Sequence, residues 1–174
     1  MWNSYTRKNK LILKFGLTGD THNNLKNIER ICRIFNSICL DFVIHTGDIS
    51  LPKSLEAFKE LKAPLRGVFG NNDKGDKKDL IEVCKKYNFD FSEYQKIKIS
   101  KENYVYVIHD PEDIKEDFYK KGNIIVHGHT HRFRDEIVKD THIFNPGECA
   151  GFMKGMNKVG IVNVEIPKME IINF

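Results

Sequence analysis

The sequence predicts an α/β (α+β) fold in four αββα layers: two mixed β-sheets packed together and flanked by helices. Two observations carry this. Residues 11–87 alternate apolar, β-branched runs with stretches of helical period, the βαβαβα order of a parallel sheet. From residue 89 onward the runs are mostly β, separated by Gly, Pro and Asn, with one helix among them. A chain of 174 residues buries a sizeable core without staples. The alternative architecture is one doubly wound sheet.

The elements follow in order. Residues 1–10 read as a short polar tail and residues 11–174 as one domain. Leu11 to Thr18 is an apolar strand running into Gly19-Asp20-Thr21-His22. Asn23 or Asn24 can cap a helix, in which Leu25, Ile28, Cys32, Phe35 and Cys39 recur at helical period. Phe42 to His45 is a second strand, ending in Gly47-Asp48. Ser54 caps a short helix carrying Leu55, Phe58 and Leu61. Leu65 to Phe69 is a third strand and leads into Gly70-Asn71-Asn72-Asp73. An amphipathic helix then runs from Asp76 to Tyr87, with Leu80, Ile81, Cys84 and Tyr87 inward. Phe89 to Ile99 and Tyr104 to Ile108 form a hairpin whose second arm ends in His109. Asp110-Pro111 fits an N-cap with proline in the first turn of a short helix carrying Ile114 and Phe118. Residues 123–126 make a buried strand, and short strands at 136–138, 142–144, 159–165 and 169–172 complete the chain.

Composition excludes several classes. No apolar run approaches the roughly 20 residues of a membrane span, and the first ten residues hold no apolar signal core, so a cytoplasmic protein is expected. Four cysteines lie far apart with no C-x-x-C, which reads as free, mostly buried thiols. A net charge of +4, with lysines scattered among acids, calls for no stable nucleic-acid binding.

Three of the seven histidines alternate along Val126-His127-Gly128-His129-Thr130-His131. Imidazole suits Zn, Mn, Fe, Ni and Co, and in extended backbone residues i and i+2 share a face. Read alone, such a cluster could be a surface accident. Four further strand ends carry ligand chemistry, however: Asp20 with His22, Asp48, Asn71, and His109. The C-terminal ends of parallel strands lie along one edge, so these groups converge. Two carboxylates, one carboxamide and four imidazoles are too many for one tetrahedral zinc. They suit two ions that share a carboxylate and clamp a phosphoryl group. Gly19, Gly47, Gly70 and Gly128 each precede a ligand, where backbone must turn or approach closely.

In that order, Asp20-x-His22, Gly47-Asp48, Gly70-Asn71-x-Asp73, His109 and Gly128-His129-x-His131 resemble the calcineurin-like metallophosphoesterases. The overall size and Asn145-Pro146-Gly147-Glu148 look like the small YfcE-like, archaeal-type phosphodiesterases, over residues 11–174. The resemblance implies a divalent-metal-dependent phosphodiesterase with two ions per subunit, of Mn, Ni, Fe, Co or Zn. Asp48 would bridge the ions. Asp20, His22 and His131 would complete the first site, and Asn71, His109 and His129 the second. A metal-bridging hydroxide would be the nucleophile. Larger members carry a histidine where Asn72 stands. Asn72 can bond a phosphate but is no ordinary general acid, which leaves protonation of the leaving group to water or Asp73. Asn72 and Asp73 are thus the expected catalytic side chains, and good leaving groups the expected preference. His109 is commonly followed by glycine in the family but here by Asp110-Pro111, which alters that rim. His127 has no ligand slot and is expected to support the site or face the substrate.

Each residue also has a plainer reading. Asp20 could be a helix cap, Asp48 and Asn71 to Asp73 turn residues, and His109 a core histidine. Lys74, Lys77 and Lys78 read as a solvated helix face, and Asn145-Pro146-Gly147 as a tight turn without a ligand role. The joint order favours metal. The expected partner is a small phosphodiester or nucleotide-like substrate, with no membrane; a homodimer is compatible with a small member. Two other functions compete: a phosphomonoesterase, and a non-catalytic protein-binding scaffold like the retromer subunit of this fold.

Overall fold

The computed structural model describes residues 13–174; the predicted tail, 1–10, and the first two residues of the predicted strand lie outside them. In the first sheet, β1 (Lys14–Thr18), β2 (Phe42–His45), β3 (Leu65–Val68) and β4 (Asp90–Ser92) run parallel. Beyond β1 the sheet continues with β10 (Lys158–Asn163), antiparallel to β1, and β11 (Lys168–Asn173), antiparallel to β10. The second sheet has the order β5 (Gln95–Lys98), β6 (Tyr104–Val107), β7 (Ile124–Val126), β9 (Thr141–Asn145), β8 (Arg134–Val138). Its three inner strands, β6, β7 and β9, are parallel. Two mixed sheets are therefore present, not one doubly wound sheet. Among the described residues no helix is long and apolar enough to cross a membrane.

Each layer follows from an apolar face. Phe15, Leu17 and Ile44 of the first sheet meet Val105, Val107, Ile124 and Phe144 of the second in a buried cluster between the sheets. Complete burial of each such side chain contributes about 1.5–3 kcal/mol. On the outer face of the first sheet lie α1 (Leu25–Asn36), α2 (Pro52–Ala57) and α3 (Lys77–Tyr87). Ile28, Ile31 and Phe35 of α1, Leu55 of α2 and Leu80 of α3 pack there with Val43 and Leu65. Asn24 is the α1 cap: its side chain accepts the Asn27 N–H.

Four local expectations need correction. Helix α2 starts at Pro52, with Leu51 at the cap position. Ser54 is buried inside the helix, and its hydroxyl donates to Asn23 Oδ1 at 3.0 Å. Ile81 is 37% exposed, so the inward face of α3 is carried by Leu80 and Cys84. The stretch Phe89 to Ile99 is two strands in different sheets, β4 and β5. The chain crosses over at Glu93 and Tyr94, where the Ser92 hydroxyl donates to the Tyr94 carbonyl. The helix expected after Asp110 is a pair of 3-10 turns, Pro111–Asp113 and Glu116–Phe118, because Lys115 between them is extended. These turns form the fourth layer: Phe118 stacks on Tyr106 at 4.1 Å, above Ile125 and Ile143.

Candidate metal centre

Strands β1, β2 and β3 of the first sheet and β6 and β7 of the second end at one edge of the sandwich, and all seven predicted ligand residues meet there. Asp20, His22 and His131 form one group and Asp48, His109 and His129 another, each with its ligand atoms within 4.8 Å of one another. In the first, His22 Nε2 lies 3.2 Å from His131 Nε2, which is 3.9 Å from Asp20 Oδ1. In the second, the Asn71 carboxamide oxygen sits 2.9 Å from His109 Nε2 and 3.0 Å from His129 Nδ1. Asp48 lies between the groups. Its Oδ2 is 3.6 Å from His22 Nε2 and its Oδ1 is 3.5 Å from His109 Nε2.

The backbone reaches this arrangement differently from the extended His-x-His expected. Strand β7 stops at Val126, and His129 and His131 are left-handed, with φ of 65° and 54°. Asp20 (48°), His22 (38°) and Asp48 (57°) share that conformation. Asp and His tolerate it better than β-branched residues, yet each such non-glycine residue costs on the order of 1 kcal/mol. Hydrogen bonds hold the turns. The Asp20 and His22 N–H groups donate to the Gly47 and Asp48 carbonyls. The His129 N–H donates across the sheets to the Asp20 carboxylate at 3.0 Å. The glycines allow the close approach: a Cβ on Gly70 would stand 2.2 Å from Asp48 Oδ1, and one on Gly128 2.7 Å from Asp20 Oδ2.

The electrostatics call for cations. Asp20, Asp48 and Glu148 are each at most 2% exposed. Among the described residues, Asp20 and Asp48 have only histidines as ion-pair partners. Burial pushes the Asp20 carboxyl up to about 7; His131 opposes this and Asp48 adds to it. Burial also lowers the His22 pKa, which favours neutral imidazole with a lone pair to give. His109 Nδ1 donates to the Thr46 carbonyl at 2.8 Å, which turns the Nε2 lone pair toward Asn71 and His129. His131 Nδ1 lies 2.7 Å from Glu148 Oε2, so its Nε2 faces Asp20 and His22. Such outer partners orient ligating histidines. This mixed O/N donor set, rich in buried carboxylate, fits divalent cations.

The remaining predicted residues have distinct places. Asn72 is tied to Asp48: its N–H donates to Oδ1 at 2.8 Å and its Nδ2 to Oδ2 at 2.7 Å. Asp73 is fully buried beneath them, accepting the N–H groups of Asp48, Ile49, Ser50 and Gly70. His127 belongs to neither group. Its Nδ1 meets the Gly128 carbonyl at 3.0 Å and its Nε2 the Arg134 guanidinium at 3.3 Å. Lys74 and Lys77, read from sequence as a solvated face, line a cleft of about 600 Å³ beside the second group, with Phe69, Asp110 and Asp113. Sequence reasoning placed Glu148 in the Asn145-Pro146-Gly147-Glu148 motif but gave it no role at the site. The available signal was an acid within the small, apolar run Pro146 to Ala150.

The two sheets, with paired ligand groups at their shared edge, are those of a metallophosphoesterase. Residues 13–166 match the calcineurin-like phosphoesterase superfamily domain, and the chain belongs to that family of hydrolytic, divalent-metal-using phosphoesterases. It is 31% identical over 157 residues to Phosphodiesterase MJ0936 of Methanocaldococcus jannaschii, which covers 88% of this chain and 94% of that one. A solved archaeal phosphodiesterase superposes with a TM-score of 0.79 at 28% identity, covering 93% of this chain and 100% of that chain. The Escherichia coli phosphoesterase YfcE gives 0.70 at 20%, covering 92% and 98%. Vps29 of Chaetomium thermophilum gives 0.65 at 12%, covering 93% and 96%, a likeness of fold alone.

Proposed function

We propose that this chain is a phosphodiesterase working through two divalent ions, with residues 11–174 as its catalytic unit. The observation that carries the reading is Asp48, whose two oxygens lie about equally far from histidines of different groups. Asp20, His22 and His131 would hold one ion, Asn71, His109 and His129 the other, and Asp48 both. Bound there, the ions would supply Lewis acidity to activate water and positive charge to offset that of the phosphoryl group.

The chain's own groups do the rest. Asn72 fixes both oxygens of Asp48 and offers its carboxamide to a phosphate oxygen. Asp73 positions the loop carrying Asp48 through three backbone contacts, to Asp48, Ile49 and Ser50, and ties its own loop through Gly70. Glu148 and the Thr46 carbonyl orient His131 and His109. Asn72 is no ordinary general acid and Asp73 is turned onto backbone N–H groups, so diesters with good leaving groups should turn over best. The likeness to a named phosphodiesterase favours diesters over monoesters.

The test is metal analysis of the purified protein alongside turnover of bis-p-nitrophenyl phosphate and p-nitrophenyl phosphate with Mn, Ni, Fe, Co and Zn. The expected result is two ions per chain and preferential diester hydrolysis, both lost in Asp48→Ala. One ion per chain defeats the dinuclear reading. Absence of turnover with every metal leaves the protein-binding scaffold.

A further inference from the structure

The loop after β9 places an apolar ring against the first ligand group. Gly151 (φ 83°) and Gly155 (φ 75°) bracket Phe152, Met153 and Lys154. Phe152 is 71% exposed and Met153 47%. The Phe152 ring nevertheless has fixed neighbours. It lies 5.4 Å from the His22 ring and 5.8 Å from the His131 ring, and those two stack on each other at 5.1 Å. Glu148 holds both parts of this arrangement. Its Oε2 contacts His131, and its Oε1 accepts the Phe152 N–H at 2.9 Å. One buried carboxylate thus sets an aromatic ring and a candidate ligand in register, with the ring's other face open beside the centre.

We propose that Phe152, flanked by Met153, is a stacking platform for a planar ester arm of the substrate, an aryl group or a nucleobase. A phosphodiester has two arms leaving phosphorus in different directions. One can enter the cleft beside the second group, between Lys74 and Asp110. The other then passes over the first group, where Phe152 offers an aromatic face. Stacking there selects planar arms whatever their hydrogen-bonding pattern. This substrate class rests on the phosphodiesterase reading.

The experiment is calorimetric titration of the Mn-loaded protein with phenylphosphonate and methylphosphonate, which share the anionic head and resist hydrolysis. At the low end of aromatic stacking energies, phenylphosphonate should bind about fivefold tighter. Phe152→Ala should bring the two affinities together by weakening phenylphosphonate alone, while Phe152→Trp keeps the preference. Equal affinities in the natural protein, or a preference that survives Phe152→Ala, overturn the platform. So does a fall in metal content in Phe152→Ala, which would make the ring a support for His22 and His131. A dimer that dissociates on the same substitution would make the patch an interface between copies, and overturns it too. If neither phosphonate binds, the two-ion phosphodiesterase reading fails and the platform with it.

Discussion

Replacing Asp73 by asparagine preserves the size of the side chain and exchanges one acceptor oxygen for a donor. In the native protein Oδ2 accepts the Asp48 and Gly70 N–H groups at 3.0 and 2.7 Å, and Oδ1 those of Ile49 and Ser50 at 2.8 and 2.6 Å. Either orientation of the amide turns an NH2 group onto two buried donors. Two lost hydrogen bonds to a charged group cost about 3–6 kcal/mol. Burial pushes the Asp73 carboxyl above its ordinary pKa and so disfavours the carboxylate, which makes the lower figure the better one. About 3 kcal/mol is a large share of a domain's stability and lowers the midpoint by roughly 10 °C at this size. The assay is thermal and urea unfolding in EDTA, so that metal loss does not enter. An Asp73→Asn protein with the native midpoint, but with activity lost selectively on poor leaving groups, would refute this positioning role and identify Asp73 as the proton donor.

Three further outcomes follow from the same geometry. In EDTA the native fold holds a proton on Asp20 up to about pH 7 that the unfolded chain releases near 3.8. Stability therefore falls between those values by up to about 1.4 kcal/mol per pH unit. Urea midpoints across that range should fall more steeply for the natural protein than for Asp20→Asn; identical slopes contradict the burial argument. Glu148→Ala frees the His131 ring and should weaken metal binding by about 10- to 100-fold, read by chelator competition. Unchanged affinity removes Glu148 from the site. Gly70→Ala forces a Cβ onto the Asp48 carboxylate and should lower metal stoichiometry, whereas Gly75→Ala, with open space around its Cβ, should not. Equal metal content in both rejects the packing argument.

Much of the architecture is legible because the buried strands are continuous apolar runs and Ile28, Cys32 and Phe35 of α1 keep the helical period, although Leu25 is exposed and Cys39 lies beyond the helix end at Asn36. The seven residues at the centre could be picked out because each follows a strand, and the parallel strands end on one side. What was hidden depends on tertiary context. Nothing in the run from Phe89 to Ile99 tells which sheet each half joins, since strand character is local and pairing is not. The turns after Asp110 carry a proper cap and proline, but Ile114 and Phe118 pack on the second sheet from 3-10 geometry as readily as from a helix. The alternation argument for His129 and His131 holds only inside a strand, and the strand ends before them. Glu148 received no role because its burial, and hence its need for a partner, comes from the loop around it.

Neither ligand group is complete on one sheet. Asp20 and His22 follow β1 of the first sheet, while His131 follows β7 of the second. Asp48 follows β2 of the first, while His109 and His129 follow β6 and β7 of the second. A partly folded chain with undocked sheets offers fragments of a site, so a cation held there grips the docked state. At 100 times its dissociation constant, such an ion adds about 2.7 kcal/mol to the native state. If docking of the edge is late in folding, nearly all of this falls on the unfolding rate, about 100-fold, and little on refolding. The centre would then serve as a latch in time as well as a site for chemistry, and the lifetime of the folded protein would be set by how long its ions stay.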